Sequence, residues 1–354
     1  MNQIIINGKF MESGMQGIVR YAREMLLALD ELIDSSELSF QLAVSQSAKN
    51  VPEYKNISVV QIGKRSGILW EQTDLRAYVN ANKGALCLNL CNVCPLFTRP
   101  GITVVHDIMY TVNPSHYTTL RNRLSRIWHM FLYSYIVRHE KKILTVSLFS
   151  QKEIERCYPA AKGKISVIPC GWQHVLEYTE SDDWQERFPF LKPSEFYFSL
   201  ATLAKNKNGK WIMDAARRNP EAVFAIAGKH YETEYTQIPH NVHLLGFVSD
   251  EDACALIKNC KAFIFPSLYE GFGLPPLEAL ALGAEVISSN AASLPEVLGD
   301  SVHYIEPYDA NVDIDALMDG ETGDKNSALE KYSWKKSAKL LLDLLEKSSD
   351  GGLK

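Results

Sequence analysis

Two carboxylates eight positions apart, Glu270 and Glu278, stand in the segment FIFPSLYEGFGLPPLEALALGAEVISSNAASLPEVLGD, residues 263–300. FIFPS reads as a buried strand. Glu270-Gly271-Phe272-Gly273 reads as a loop at its carboxyl end, and Pro275 or Pro276 opens a helix that ends near Leu282-Gly283. A helix start leaves unpaired amides at the positive end of the dipole, an arrangement that holds phosphate. Gly271 and Gly273 let the backbone approach a ligand with no Cβ in the way. Glu270 in the loop and Glu278 in the first helical turn would accept hydrogen bonds from hydroxyls at two ends of one ligand, with phosphate between. A sugar nucleotide has that layout. The plainer alternative makes Glu278 a capping-box residue and Glu270 a solvated loop charge.

The segment resembles the Glu-x7-Glu signature of the retaining GT-B glycosyltransferases, specifically glycosyltransferase family 4, also called group 1. LPEVLGD is similar to that family's SLPEVVGD-type turn and helix. The resemblance covers most of the chain and is strongest over Phe196–Asp300. It implies that Glu278 binds the ribose and that Glu270 contacts the donor sugar. Amides of Phe272, Gly273 and Leu274 would face sugar and diphosphate.

Further segments match that family. Gly14-Met15-Gln16-Gly17-Ile18-Val19-Arg20-Tyr21 is similar to a glycine-rich loop before a Gly-x-x-Arg-Tyr helix, and Gly14 and Gly17 would place an amide near the diphosphate. A plain strand-to-helix turn needs glycine too. The loop lacks the third glycine and the acidic partner of a dinucleotide fingerprint. In Val104-Val105-His106-Asp107, the resemblance makes His106 the counterpart of a histidine close to the reacting sugar, a candidate for polarising or positioning, against the plainer reading of a hydrogen-bonded core histidine, and Asp107 reads as a cap. Ser199–Asn208, SLATLAKNKN, resembles a loop ending Arg-Lys-Asn whose cations neutralise the diphosphate. Lys207 and Asn208 align, whereas Asn206 stands where the family has arginine, so a guanidinium fork is lost. Either Lys205 supplies the charge or the donor phosphates are held more loosely. Gly228-Lys229 is similar to the family's Ala-Gly-Lys/Ser loop. Phe247–Asp250 resembles a nucleobase-contacting turn and equally reads as a helix cap at Ser249.

Arg121–Lys142, RNRLSRIWHMFLYSYIVRHEKK, combines Arg121, Arg123, Arg126, Arg138, Lys141 and Lys142 with Trp128, Phe131, Tyr133 and Tyr135. Basic amphipathic helices of this kind lie on anionic lipid, and a core helix with charged ends is the competing reading. Cys91-x-x-Cys94 lacks a second ligand pair at zinc-site spacing, so Cys87, Cys91 and Cys94 read as packing.

These residues need a scaffold, and the chain spells one out. Apolar runs QIIIN, SFQLAVS, ISVVQI, ALCLNL, ITVVHD and KILTVS alternate with helical segments near Gly17–Leu32, Ser125–Lys141 and Ser150–Cys157. A second series follows: FYFSLAT, AVFAIAG, VHLLGF, AFIFPS, AEVISS and VHYIEP. Polar, acid-rich Gln173–Lys192 reads as a linker between them. Alternating β and α elements predict parallel sheets. The expectation is an α/β, GT-B protein of two Rossmann-like domains facing across a cleft, with ligands at the carboxyl ends of strands. An acceptor-side domain would span 1–172 and a nucleotide-sugar domain 173–331. A terminal helix, 332–354, would carry Leu340, Leu341, Leu344 and Leu345 on one packing face.

The 354 residues, 46% hydrophobic and 22% charged, fit two domains and exclude disorder, collagen and coiled coil. No run of eighteen apolar residues predicts a spanning helix, and MNQIIINGKF reads as a first strand, not a signal peptide. Seven cysteines, loosely spaced, indicate a reducing compartment, and the expected location is cytoplasmic, with the inner membrane face as a peripheral site. The net charge of −5 hides an imbalance: 20 Lys+Arg against 13 Asp+Glu in residues 1–172, then 17 against 29. That imbalance suggests an anionic partner for the first half.

The resulting expectation is a hexosyltransferase that moves a sugar from a nucleotide-sugar donor to a glycan or lipid-linked acceptor with retention, in bacterial surface-polysaccharide assembly. His106, Glu270 and Lys207 are the catalytic candidates. Donor-binding candidates are Gly14, Gly17, Lys205, Lys207, Asn208, Gly228, Glu270, Gly271, Phe272, Gly273, Leu274 and Glu278. Lys207 and the helix dipole would ease departure of the diphosphate, so neither metal nor cofactor is expected. A GT-B epimerase or phosphorylase and a non-catalytic sugar-nucleotide binder are the alternatives. A nicotinamide dehydrogenase is disfavoured by the missing fingerprint, and nucleic acid by the lack of a matching module.

Overall fold

The computed structural model describes residues 3–200, 205–228 and 237–349. Residues 201–204 of the Ser199–Asn208 loop, and Lys229, lie outside the described residues. The chain divides into two units, Met1–Gly171 with Trp334–Lys354, and Trp172–Ser333.

Among the described residues the first unit holds seven strands: β1 (Gln3–Asn7), β2 (Ser39–Val44), β3 (Ile57–Gln61), β4 (Ala85–Asn89), β5 (Ile102–Val104), β6 (Lys142–Thr145) and β7 (Ile165–Val167). All pair in parallel, in the order β3-β2-β1-β4-β5-β6-β7. Ile4, Ile5 and Ile6 of central β1 are all buried, as expected of a parallel strand covered on both faces. The second unit holds β8 (Phe196–Leu200), β9 (Val223–Ala227), β10 (Val242–Gly246), β11 (Ala262–Phe265), β12 (Val286–Ser289) and β13 (His303–Ile305). These too are parallel, in the order β10-β9-β8-β11-β12-β13. Strand order reverses between β1 and β4 in one sheet and between β8 and β11 in the other. Each reversal opens a crevice at the carboxyl ends of those strands.

Helix Gly17–Leu32 turns Val19, Tyr21, Ala22, Met25, Leu26 and Leu29 inward and packs against helix Trp334–Ser349. The terminal helix buries Trp334, Ala338, Leu341, Leu342 and Leu345, while Leu340 is half-exposed and Leu344 partly buried. The packing stripe is therefore rotated from the expected 340/341/344/345 face, because 334, 338, 341 and 345 follow the helical period over the full length. The basic aromatic helix spans Leu120–His139, beginning before the expected Ser125, with Thr119 accepting from Asn122 N at 3.2 Å as its cap. The elements that the sequence reading did not name include the short β7 and a helical stretch over 67–81 with a π-helical turn at Trp70–Leu75.

The expected linker Gln173–Lys192 is instead part of the second unit. It forms a 3-10 turn at Gln173–Glu177 and a short helix at Trp184–Arg187, and His174, Val175, Trp184 and Leu191 are buried. Arg187 Nη1 donates to Asp252 Oδ2 at 2.6 Å, so part of its charge is used in pairing. The core of the second unit joins Tyr197, Trp211, Phe224, Ile226, Ile264 and Ile287.

Candidate active site

The loops after β8 and β11 meet at the point where the second sheet reverses. Lys207, in a 3-10 turn after β8, places Nζ 2.6 Å from Oε1 of Glu270 in the loop after β11. Ser267 Oγ lies 2.6 Å from the same oxygen, and the ammonium stands 5.0 Å from the centroid of the Phe265 ring. The side chains of Lys207 and Glu270 remain 24% and 15% exposed, so a ligand can reach both. An ammonium carries three N–H donors, and an anion can share it with Glu270.

Main-chain ties fix this pair. Asn206 O accepts from Leu268 N at 2.8 Å, and Ser289 Oγ donates to Ser267 O at 2.5 Å. Asn208 adopts a left-handed conformation, φ 56°, and its Nδ2 donates to Pro266 O at 3.1 Å and Pro307 O at 2.7 Å. Its amide group thus joins the loops after β8, β11 and β13, and only its remaining oxygen is left to meet a ligand. Asn206 acts here through its carbonyl, which also accepts from Ser267 Oγ at 2.9 Å.

Gly273 precedes helix Leu274–Ala281 at φ +100°, and a Cβ there would lie 2.5 Å from Leu294 Cδ2, so only glycine fits. Ser293 Oγ lies 3.0 Å from both Glu270 O and Phe272 O, tying this loop to the turn after β12. The amides of Phe272, Gly273 and Leu274 have no acceptor among the described residues, and Pro275 and Pro276 have no N–H. The helix therefore presents bare donors at its positive end. Phe272 is buried, its ring edge-on to Tyr332 at 5.1 Å.

Glu278 is the fifth helical residue and lies beyond the first turn, which corrects the expected placement and removes a capping-box role. Its Oε1 lies 2.8 Å from Nε2 of His174. His174 was missed because its segment reads as linker; the signal available was a histidine two residues past Gly171-Trp172. Ser267 and Ser293 were missed as ordinary loop serines. Lys205 is exposed. The Gly228 amide donates to Gly246 O at 2.7 Å, and no hydrogen bond among the described residues ties Gly228 to Lys207, Glu270 or Glu278. Ser249 caps helix Asp250–Asn259 by accepting from Asp252 N at 3.1 Å, and the adjacent Phe247 is 87% exposed.

Three candidates lie in the first unit. At Gly14 and Gly17 an added Cβ meets nothing within 4 Å, so the fold itself demands glycine at neither position. His106 is buried, with Nε2 2.9 Å from Leu90 O and its ring edge-on to Tyr21 at 4.7 Å. Burial pushes its pKa down to about 4, against a smaller opposing effect of the Leu90 hydrogen bond, so the ring is neutral at physiological pH. Asp107 Oδ1 accepts from Met109 N at 2.9 Å as a local cap. Cys87 and Cys94 are buried and Cys91 is half-buried. No group of three or more potential metal ligands occurs among the described residues.

Residues 180–347 match the family model described as glycosyl transferases group 1. Serotype-specific mannosyltransferase WbdA of Escherichia coli is 29% identical over 277 residues, 68% of this chain and 33% of the relative. O-antigen chain mannosyltransferase B of Escherichia coli is 29% identical over 232 residues, 60% of this chain and 58% of the relative. The chain thus spans about a third of the length of WbdA. Sucrose-phosphate synthase from Thermosynechococcus elongatus superposes with a TM-score of 0.73 at 16% identity, covering 99% of this chain and 100% of that one. Anabaena HepE, solved in complex with UDP and glucose, gives 0.66 at 16% identity, covering 98% and 100%. This likeness is one of fold, the GT-B architecture of two Rossmann-like domains. Residues 180–347 of this chain belong to the group 1 glycosyl transferases.

Proposed function

We propose that the protein transfers a hexose from a nucleotide-sugar donor to a carbohydrate or lipid-linked acceptor, with retention, in polysaccharide assembly. One observation carries the reading: the bare amides of Phe272, Gly273 and Leu274 open a helix beside the Lys207 ammonium, with Glu270 and Glu278 on that loop and helix. In this reading the diphosphate lies on the amides and Lys207, where both stabilise the charge that develops on the leaving group. Glu278, held by His174, takes the ribose hydroxyls, and Glu270 takes hydroxyls of the sugar. Lys205 adds positive charge at the exposed rim. For Gly14, Gly17 and His106 of the first unit, the proposed donor-side roles rest on the family resemblance alone. Departure is assisted without a divalent metal. The relatives named mannosyltransferases favour mannose as the transferred sugar.

Peripheral membrane contact through 121–142 belongs to the same proposal. Leu120, Leu124, Ile127 and Phe131 form an exposed stripe at helical spacing, with Arg121 and Arg123 beside it. Tyr133 is buried, and Tyr135 accepts from Phe97 N at 2.8 Å, so these two tyrosines serve the fold. No described helix is long and apolar enough to cross a membrane.

A screen of nucleotide sugars by thermal shift in EDTA buffer, followed by assay of released nucleoside diphosphate, tests the reading. Donor-specific stabilisation with slow release supports it. Binding without release under any acceptor favours a non-catalytic binder, and no binding of any nucleotide sugar overturns it.

A further inference from the structure

The first sheet reverses between β1 and β4 as the second does between β8 and β11, and its crevice also holds a lysine–glutamate pair. Lys9, just after β1, places Nζ 2.9 Å from Oε2 of Glu71. Glu71 sits in the π-helical turn Trp70–Leu75 and is fully buried, a helix irregularity of the kind often found at functional sites. Three donors hold its carboxylate: Lys9, Asn7 Nδ2 on Oε1 at 2.9 Å, and Gln72 Nε2 on Oε2 at 3.2 Å. Asn7 in turn donates to Asn89 Oδ1 at 3.0 Å, and Asn89 Nδ2 to Thr103 Oγ1 at 3.1 Å. A polar network thus runs across three adjacent strands beneath the crevice.

Above it lies a cavity of about 210 Å³ whose lining includes Asn7, Lys9, Phe10, Val19, Leu90 and Val93. That is smaller than the ~300–1,000 Å³ of pockets for drug-sized ligands, so it admits one small ring. The Lys9 side chain is 20% exposed, the network's opening to solvent. Its charge is matched by a buried carboxylate 2.9 Å away, so it offers N–H donors with little net positive field. An anion entering here would meet Glu71 directly behind the ammonium. A neutral ring with apolar C–H faces and hydroxyl edges matches apolar walls and a donor at the floor.

We propose that this cavity is a binding site for one neutral pyranoside ring, with Lys9 donating to a ring hydroxyl and Glu71 serving as the positioning residue that orients and neutralises it. The inference rests on the transferase reading for the identity of the ring as the acceptor's terminal sugar. The binding itself does not.

The test uses the full chain and saturation-transfer NMR with methyl α-D-mannopyranoside, methyl β-D-glucopyranoside and mannose 6-phosphate as probes. Nucleoside diphosphate binding is measured in parallel on every variant. The wild type should bind a neutral probe and discriminate against the phosphate. Lys9→Met should weaken the neutral probe by about tenfold or more, the loss of a hydrogen bond from a charged donor. Glu71→Gln should shift preference toward mannose 6-phosphate, because it leaves the ammonium unmatched, a change that a purely structural role would not produce. Should Lys9→Met unfold around the orphaned carboxylate, the double variant Lys9→Met/Glu71→Gln removes both charges and should still lose the neutral probe. Failure of the wild type to bind either methyl glycoside, unchanged binding in the folded lysine variants, or tighter binding of the phosphate by the wild type overturns the proposal. Nucleoside diphosphate binding lost in the wild type would count against the transferase reading, while the glycoside result would still decide the cavity.

Discussion

His174 Nε2 lies 2.8 Å from Glu278 Oε1, the imidazole 2% exposed and the carboxylate 15%. One carboxylate oxygen is thereby fixed, and Oε2 has no partner among the described residues. With Oε2 left to accept from a ribose hydroxyl, Glu278→Ala should lower nucleoside diphosphate affinity by about tenfold or more, since a hydrogen bond to a charged group contributes roughly 1.5–3 kcal/mol. His174→Ala leaves the carboxylate present but unrestrained, so its loss should be smaller and confined to donor affinity. Calorimetric titration distinguishes the two. Unchanged affinity in Glu278→Ala removes this residue from the ribose site.

The Lys207–Glu270 pair should separate binding from chemistry. If Lys207 stabilises the departing diphosphate, Lys207→Met should lower kcat by about 10²–10³, the range seen when one donor to developing charge is removed. Donor KM should change far less. Glu270→Gln keeps the shape of the loop and should raise KM for the sugar donor. Turnover should be the same in EDTA as in magnesium buffer. A strict metal requirement would discard the proposed role of the helix and Lys207.

The exposed stripe of Leu124, Ile127 and Phe131 predicts vesicle binding that depends on both apolar area and charge. Co-sedimentation with phosphatidylglycerol vesicles should fall when these three become serine, and separately when Arg121 and Arg123 become glutamate. High salt should weaken the second effect's origin and not the first. Equal sedimentation of all variants would leave the helix as a plain surface element.

Burial pushes the Glu140 carboxyl up to about 7, against the opposing hydrogen bond that Gly101 N donates to Oε2 at 2.7 Å. Between the ordinary value of 4.5 and about 7, the folded chain keeps a proton that the unfolded chain has released. Stability should therefore fall as pH rises through that window, by up to about 3 kcal/mol, and level off above it. Glu140→Gln should lack this slope. Urea midpoints at pH 5 and pH 8 for both proteins check it; parallel curves would show that Glu140 ionises normally.

Much of the architecture was legible because it is local. Ile4–Ile6, Phe196–Phe198 and Phe263–Phe265 are short apolar runs whose length and spacing announce strands buried on both faces. Glycine and proline likewise marked the loop and helix start around Gly273. The terminal helix was found, but its packing stripe was misread, because four leucines in one segment outweigh Trp334 and Ala338 in composition and not in geometry.

By itself the sequence determined the strand–helix alternation, two successive βα series, and a glycine-flanked helix start with two carboxylates at set spacing. Tertiary structure decided which side chains those features meet. His174 and Glu278 are 104 positions apart, Lys207 and Glu270 are 63, and Lys9 and Glu71 are 62. Two of these pairs, Lys207–Glu270 and Lys9–Glu71, lie at a crevice where strand order reverses. That reversal is a property of sheet pairing, which hydrophobic period and turn residues do not encode. The segment 173–192 shows the same limit: its polarity reads as solvent exposure until the fold supplies Glu278 and Asp252 as partners for His174 and Arg187.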